Sequence, residues 1–219
     1  MYAYLIELAS LMAIFAFAVI SPGADLAMVM RQAMVHGRKQ AIITSFGIGA
    51  ALMMHVSYTV LGLGLIISKS IYLFNLVKWC GVAYLVYIGI KALRSSGGFV
   101  QISPEGNAQN ASKISVKQQG FMKAFSLGFA ANALNPKAVF FFLSIFSTVV
   151  SVGTPTEIKL GYGVLMAICL ISWFVCVSLF MTTPHMQAAF ARMGKMIDRA
   201  SGVVFIALGL KLATEKAHM

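Results

Sequence analysis

The chain has 219 residues, of which 59% are hydrophobic and 11% charged, whereas an ordinary soluble domain carries roughly 25% charged residues. That composition excludes a soluble enzyme or a disulfide scaffold and points to an integral membrane protein, with room for about six spans of about 20 residues each. The net charge of +11 comes from 17 Lys and Arg against 6 Asp and Glu; the basic residues lie mostly between apolar runs, so they speak for membrane topology and against a nucleic-acid partner.

In chain order, apolar segments run over 5–20, 41–67, 71–93, 121–152, 160–183 and 193–213. They predict an all-α, polytopic membrane protein of about six transmembrane helices. The first run has no basic residue before it and carries Glu7 near its start, so it reads as a span and not as a cleaved leader. Gly47, Gly49, Gly62 and Gly64 along the second run would let neighbouring helices approach closely. Cys80, Cys169 and Cys176 sit inside apolar runs without metal-ligand spacing and read as packing residues. Residues 95–117, rich in Ser, Gly, Asn and Gln, read as a flexible cytoplasmic linker between two halves, 1–94 and 118–219. Lys195, Asp198 and Arg199 are expected near a membrane face, where long basic side chains can snorkel.

Basic residues also orient the chain. Arg31, Arg38 and Lys39, then Lys91, Arg94, Lys113, Lys117 and Lys123, then Arg192, Lys195 and Arg199 occupy the first, third and fifth connections. The remaining connections and tails hold Lys69, Lys78, Lys159, Lys211 and Lys216, with Lys137 left inside a span. Eleven against five predicts a multi-pass protein with both termini on the periplasmic side.

The two halves resemble each other. Ser21-Pro22-Gly23-Ala24 follows the first apolar run and Asn135-Pro136-Lys137-Ala138 interrupts the fourth. In each, Ser or Asn is expected as helix N-cap and Pro as first helical residue, so the first and fourth helices are predicted to be broken. Ile88-Gly89-Ile90-Lys91 and Leu208-Gly209-Leu210-Lys211 match in the third and sixth runs. Three spans per half is an odd number, so the halves would form two inverted three-helix repeats. That is a transporter architecture with its site near the bilayer midplane.

These residues carry a family resemblance. Ser21-Pro22-Gly23-Ala24-Asp25, His36-Gly37-Arg38-Lys39, the run from Lys78 to Leu85 with Gly89-Ile90-Lys91-Ala92-Leu93, and Asn132-Ala133-Leu134-Asn135-Pro136-Lys137-Ala138 with Phe140-Phe141-Phe142 resemble the lysine exporter (LysE) family. Within it, the resemblance is to the threonine and homoserine exporter branch, and it covers essentially the whole chain. Ala24 departs from the family, which often has a second proline there. The resemblance implies a secondary transporter exporting a small neutral amino acid, threonine or homoserine, across the bacterial inner membrane in exchange for protons. The alternatives are an uncoupled amino-acid facilitator or channel, or an exporter of another amino acid or related metabolite.

Asp25 is the acid placed deepest, and an intramembrane carboxylate tends to mark an ion path or substrate site. In the expected pose the substrate ammonium meets Asp25 and its carboxylate meets the N–H groups of the half-helix opened at Pro136. Asn132 and Asn135 either bond the substrate or cap the broken backbone. His55, midway along the second run, either relays protons to Asp25 or makes an interhelical hydrogen bond. Ser21, Pro22 and Gly23 complete the first break. Phe140, Phe141 and Phe142 are expected as bulk, one of them a gate. No metal or cofactor motif is present, and Asp25 with His55 is too small a set for an intramembrane enzyme. The expected partners are an amino acid, protons and the lipid bilayer; the sequence leaves the oligomeric state open.

Overall fold

The computed structural model describes residues 2–69, 71–95, 119–151, 153–180 and 184–214. Among them the regular structure is helical throughout: α1 (Tyr2–Ile20), α2 (Ala24–His36), α3 (Arg38–Lys69), α4 (Ile71–Leu93), α5 (Phe121–Ala133), α6 (Pro136–Val149), α7 (Thr156–Phe180) and α8 (Pro184–Thr214). A bilayer offers backbone N–H and C=O groups no water, so an apolar chain satisfies them within helices. Gly37 turns α2 into α3 at φ 86°, a left-handed conformation that glycine adopts without a Cβ clash. The expected linker lies, beyond Ser95, outside the described residues.

Four helical stretches are long and apolar enough to cross a membrane: Tyr2–Ile20, Arg38–Gly62, Asn75–Leu93 and Thr156–Phe180. α5 and α6, bent by 59° at their junction, make a fifth when counted as one span. The sixth expected span falls in α8. Only residues 200–210 of that helix run apolar, between Arg199 and Lys211, and its N-terminal part carries too much charge to qualify. Among the described residues, length and composition alone therefore support four spans, or five with the bent pair counted as one. The two breaks also differ: the second joins two short helices, whereas the first follows a helix already 19 residues long.

Glycines set the closest helix contacts. A Cβ on Gly47 would lie 2.1 Å from Phe125 O, and one on Gly128 would lie 2.1 Å from Thr44 O. Thus α3 and α5 run backbone against backbone, as membrane helices do where residues are small. Along the same seam Thr44 Oγ1 donates to Ala124 O at 3.1 Å and Gln40 Nε2 to Gln119 O at 2.7 Å. Other contacts are reciprocal between the halves. Gly89 of α4 meets Ile206 of α8, while Gly209 of α8 meets Val86 of α4; Gly49 of α3 meets Ile171 of α7, while Gly163 of α7 meets Val56 of α3. The reciprocity is incomplete, because α3 packs along α5 far more extensively than α7 packs along α1.

Two packing expectations are corrected. A Cβ on Gly62 would have nothing within 4 Å, so this glycine serves no close approach; Gly64 lies outside the residues whose surroundings are described. Cys80, Cys169 and Cys176 are exposed on α4 and α7. A thiol is apolar enough to face lipid, so their place in apolar runs does not make them core.

Candidate functional site

The site is built at the two breaks, which differ in how they cap their second helices. Ser21 N–H donates to Phe17 O at 3.1 Å, so Ser21 prolongs α1 and is not the expected N-cap. Pro22 has no N–H to continue that ladder and is not the first residue of α2. Gly23 runs extended (φ −161°, ψ −173°) and caps Ala24–His36 without any side-chain acceptor. The first turn of α2, which carries Asp25, therefore has no side-chain cap.

The second break matches expectation. Asn135 caps α6, its Oδ1 accepting from Lys137 N at 3.0 Å, with Pro136 in the first turn. Asn135 O also accepts from Ala138 N at 3.0 Å and Val139 N at 3.2 Å. Pro136 has no N–H, so Asn135 occupies every donor of this turn. The expected seat for a substrate carboxylate, the N-terminus of α6, is taken. Of the two asparagines, Asn135 is the cap.

Asn132 instead bonds across the break. Its Nδ2 donates to Asp25 Oδ2 at 2.9 Å, joining the first turn of α2 to the last of α5. Asp25 Oδ1 and Asn132 Oδ1 are buried with no hydrogen-bond partner, and Asn132 as a residue is 2% exposed. An unsatisfied buried polar atom costs about 1–3 kcal/mol, so two beside each other are expected at a functional site and not in a packed core. Both residues line a cavity of about 50 Å³, together with Ser21, Gly23, Asn135 and Lys137. Phe141 and Phe142 are buried and form part of its apolar wall, whereas Phe140 packs its ring on Tyr84 at 4.8 Å.

His55 is fully buried behind this cavity, its ring stacked on Phe142 at 5.7 Å. Its Nε2 lies 3.1 Å from Asn132 O and its Nδ1 2.6 Å from Tyr58 Oη. A carbonyl only accepts, so Nε2 carries a proton; in the neutral imidazole, Nδ1 then accepts from the Tyr58 hydroxyl. His55 thus makes the interhelical bond and reaches Asp25 only through Asn132, which bonds both. At 1.5 Å per residue, His55 lies about 26 Å along α3 from Arg38, which places the group well inside the membrane.

A larger cavity of about 820 Å³ adjoins the first break on the other side, lined by Tyr84, Tyr87, Lys91, Arg94 and Asp198 among others. Pro22 lines this one alone, and Ser21, Gly23 and Lys137 line both cavities. Asp198, expected near a membrane face, is buried and accepts from Ser95 Oγ at 2.6 Å. Lys137 was legible only as a cation stranded within an apolar run. Its Nζ lies 3.4 Å from Ala18 O and 5.1 Å from the centre of the Phe205 ring. Sequence reasoning also missed Glu7 as an organiser: it accepts from Thr154 Oγ1 at 2.9 Å, Ser151 N at 3.0 Å and Tyr162 Oη at 3.2 Å, tying α1 to α7 and the turn before it.

Comparison with known proteins agrees with this geometry. The chain matches the LysE type translocator family over residues 16–216. It is 30% identical over 195 residues to the threonine efflux protein of Escherichia coli, covering 89% of this chain and 91% of that one. It is 24% identical over 200 residues to the homoserine/homoserine lactone efflux protein of Salmonella typhimurium, covering 90% and 91%. No solved structure matches. Family match, membrane-length helices and a cavity between two helix breaks agree: this multi-pass membrane protein belongs to the LysE type translocator family, and its named relatives are efflux proteins.

Proposed function

We propose that the chain exports a small neutral amino acid, threonine or homoserine, across the bacterial inner membrane in exchange for protons. The observation that carries this reading is Asp25, held by Asn132 between the two broken helices with one carboxylate oxygen unpartnered on a cavity wall. A carboxylate so placed can take either a proton or the substrate ammonium, and that competition is what exchange requires. His55 supports Asp25 through their shared partner Asn132. Ser21, Pro22 and Gly23 on one side, and Asn135 with Pro136 on the other, keep the breaks open. The named relatives support the substrate class.

On this reading residues 1–94 and 118–219 are inverted three-helix repeats joined by a cytoplasmic linker at 95–117. The matching contacts of Gly89 with Ile206 and Gly209 with Val86, and of Gly49 with Ile171 and Gly163 with Val56, support that symmetry. The excess of basic residues in the first, third and fifth connections sets the large cavity toward the cytoplasm and both termini toward the periplasm.

Proteoliposomes preloaded with labelled threonine test it. Acidifying the outside drives protons inward, so wild-type efflux should accelerate, and Asp25→Asn should lose that acceleration. Efflux indifferent to the gradient would make the protein a facilitator, and no efflux of threonine or homoserine would remove the substrate assignment.

A further inference from the structure

The N-terminus of α6 is closed by Asn135, so a substrate carboxylate needs another seat. Two features converge on one. The first turn of α2 has no side-chain cap, and Gly23, Ala24, Asp25 and Leu26 all line the inner cavity. Lys137 Nζ stands at that turn, 3.6 Å from where a Cβ on Gly23 would be.

The surroundings of Lys137 leave it short of an anion. Its contacts are a carbonyl at 3.4 Å and an aromatic face, and among the described residues no carboxylate lies within ion-pairing distance. A buried ammonium normally demands a paired charge. Asp25 lines only the inner cavity and Asp198 only the outer one, and Lys137 stands in the partition between them. Ligand pockets run to about 300–1,000 Å³. The outer cavity, at about 820 Å³, admits an amino acid and the inner one, at about 50 Å³, does not until the partition yields.

We propose that Lys137 Nζ and the uncapped first turn of α2 form the carboxylate half of the substrate site, making a free α-carboxylate obligatory for transport. Asp25 Oδ1 and Asn132 Oδ1, the two unpartnered acceptors, form the ammonium half. The cargo class is therefore the zwitterionic α-amino acid, and amides, esters and lactones of the same side chain are excluded, which sets this chain apart from the relative named for homoserine lactone efflux. This deepens the transport reading above and rests on it.

The test is uptake of labelled threonine in counterflow, with unlabelled threonine, threonine amide and threonine methyl ester as competitors. In the wild type, threonine should compete and the two derivatives, which lack the carboxylate charge, should not, although they keep the side chain and the amine. Lys137→Gln should raise the KM for threonine about tenfold or more, as expected for loss of a charge-assisted bond. It should change kcat less, and Lys137→Arg should recover part of the loss. A purely structural Lys137 would lower kcat and thermal stability together without this KM bias. If the wild type moves no amino acid, the transport reading itself falls. If it moves threonine and the amide competes as well as threonine does, transport stands and the carboxylate assignment is overturned. The competitor panel needs no variant, so misfolding of Lys137→Gln does not blunt it.

Discussion

Asp25 shows how one residue can be legible in a sequence while its chemistry is not. It follows the Pro22-Gly23 break and is the only acid on the inner cavity wall among the described residues, and both facts could be anticipated from its position. Its partner Asn132 lies 107 residues away, and no spacing rule links the two. The same holds for His55: a lone histidine within an apolar run suggests either a relay or a tether, and only the structure shows its 3.1 Å approach to Asn132 O. A prediction follows at this scale. Tyr58→Phe strips one partner from His55 Nδ1 and should cost about 1 kcal/mol. His55→Ala also leaves a void against Phe142 and frees Asn132 O, and should cost about 3 kcal/mol. Thermal unfolding of the purified protein in detergent measures both, and equal costs would mean the imidazole adds nothing beyond its contact with Tyr58.

Elements were the most readable level. Apolar runs placed α1, α3, α4 and α7 closely, because a helix that must satisfy its backbone in lipid announces itself by length and composition. Prolines placed both breaks, but the expected cap holds only at the second. Asn135 has an amide that reaches the first turn of α6, whereas Ser21 is held in α1 by its own bond to Phe17 O. Asn135→Ala should cost about 0.5–2 kcal/mol, the usual effect of losing an N-cap, seen as a lower unfolding temperature. Glycine patterns are ambiguous for a related reason: a missing side chain says nothing about which backbone comes close. Gly128→Ala would put its Cβ against backbone that cannot rotate away and should destabilise by about 1–3 kcal/mol. Gly62→Ala has open space and should be neutral. Similar unfolding temperatures for the two variants would contradict the backbone contact between α3 and α5.

For the molecule as a whole, the two ends of the helix assembly differ. At one, Glu7 ties α1 to Ser151, Thr154 and Tyr162; at the other, the large cavity is lined by Lys91, Arg94 and Asp198. On the proposed orientation the cavity end faces the cytoplasm. In a cysteine-free background, an impermeant thiol reagent should therefore label Gly153→Cys in intact cells and Arg94→Cys only after permeabilisation. The reverse pattern would invert the orientation. The unequal packing of α3 on α5 and of α7 on α1 is what two repeats in different conformations would produce, with one side of the site sealed.

By itself the sequence determined the membrane class, the helical content, the two breaks and the place of Asp25 just after the first of them. These follow from composition, from local backbone chemistry and from the cost of a charge in lipid, all of which act within a few residues. Only the tertiary structure decided that Gly23 in place of Ser21 precedes α2 and leaves it uncapped, that Asn132 faces Asp25, and that Lys137 stands between two cavities. Those outcomes depend on which groups meet across more than a hundred residues of chain, and packing, not local preference, brings them together.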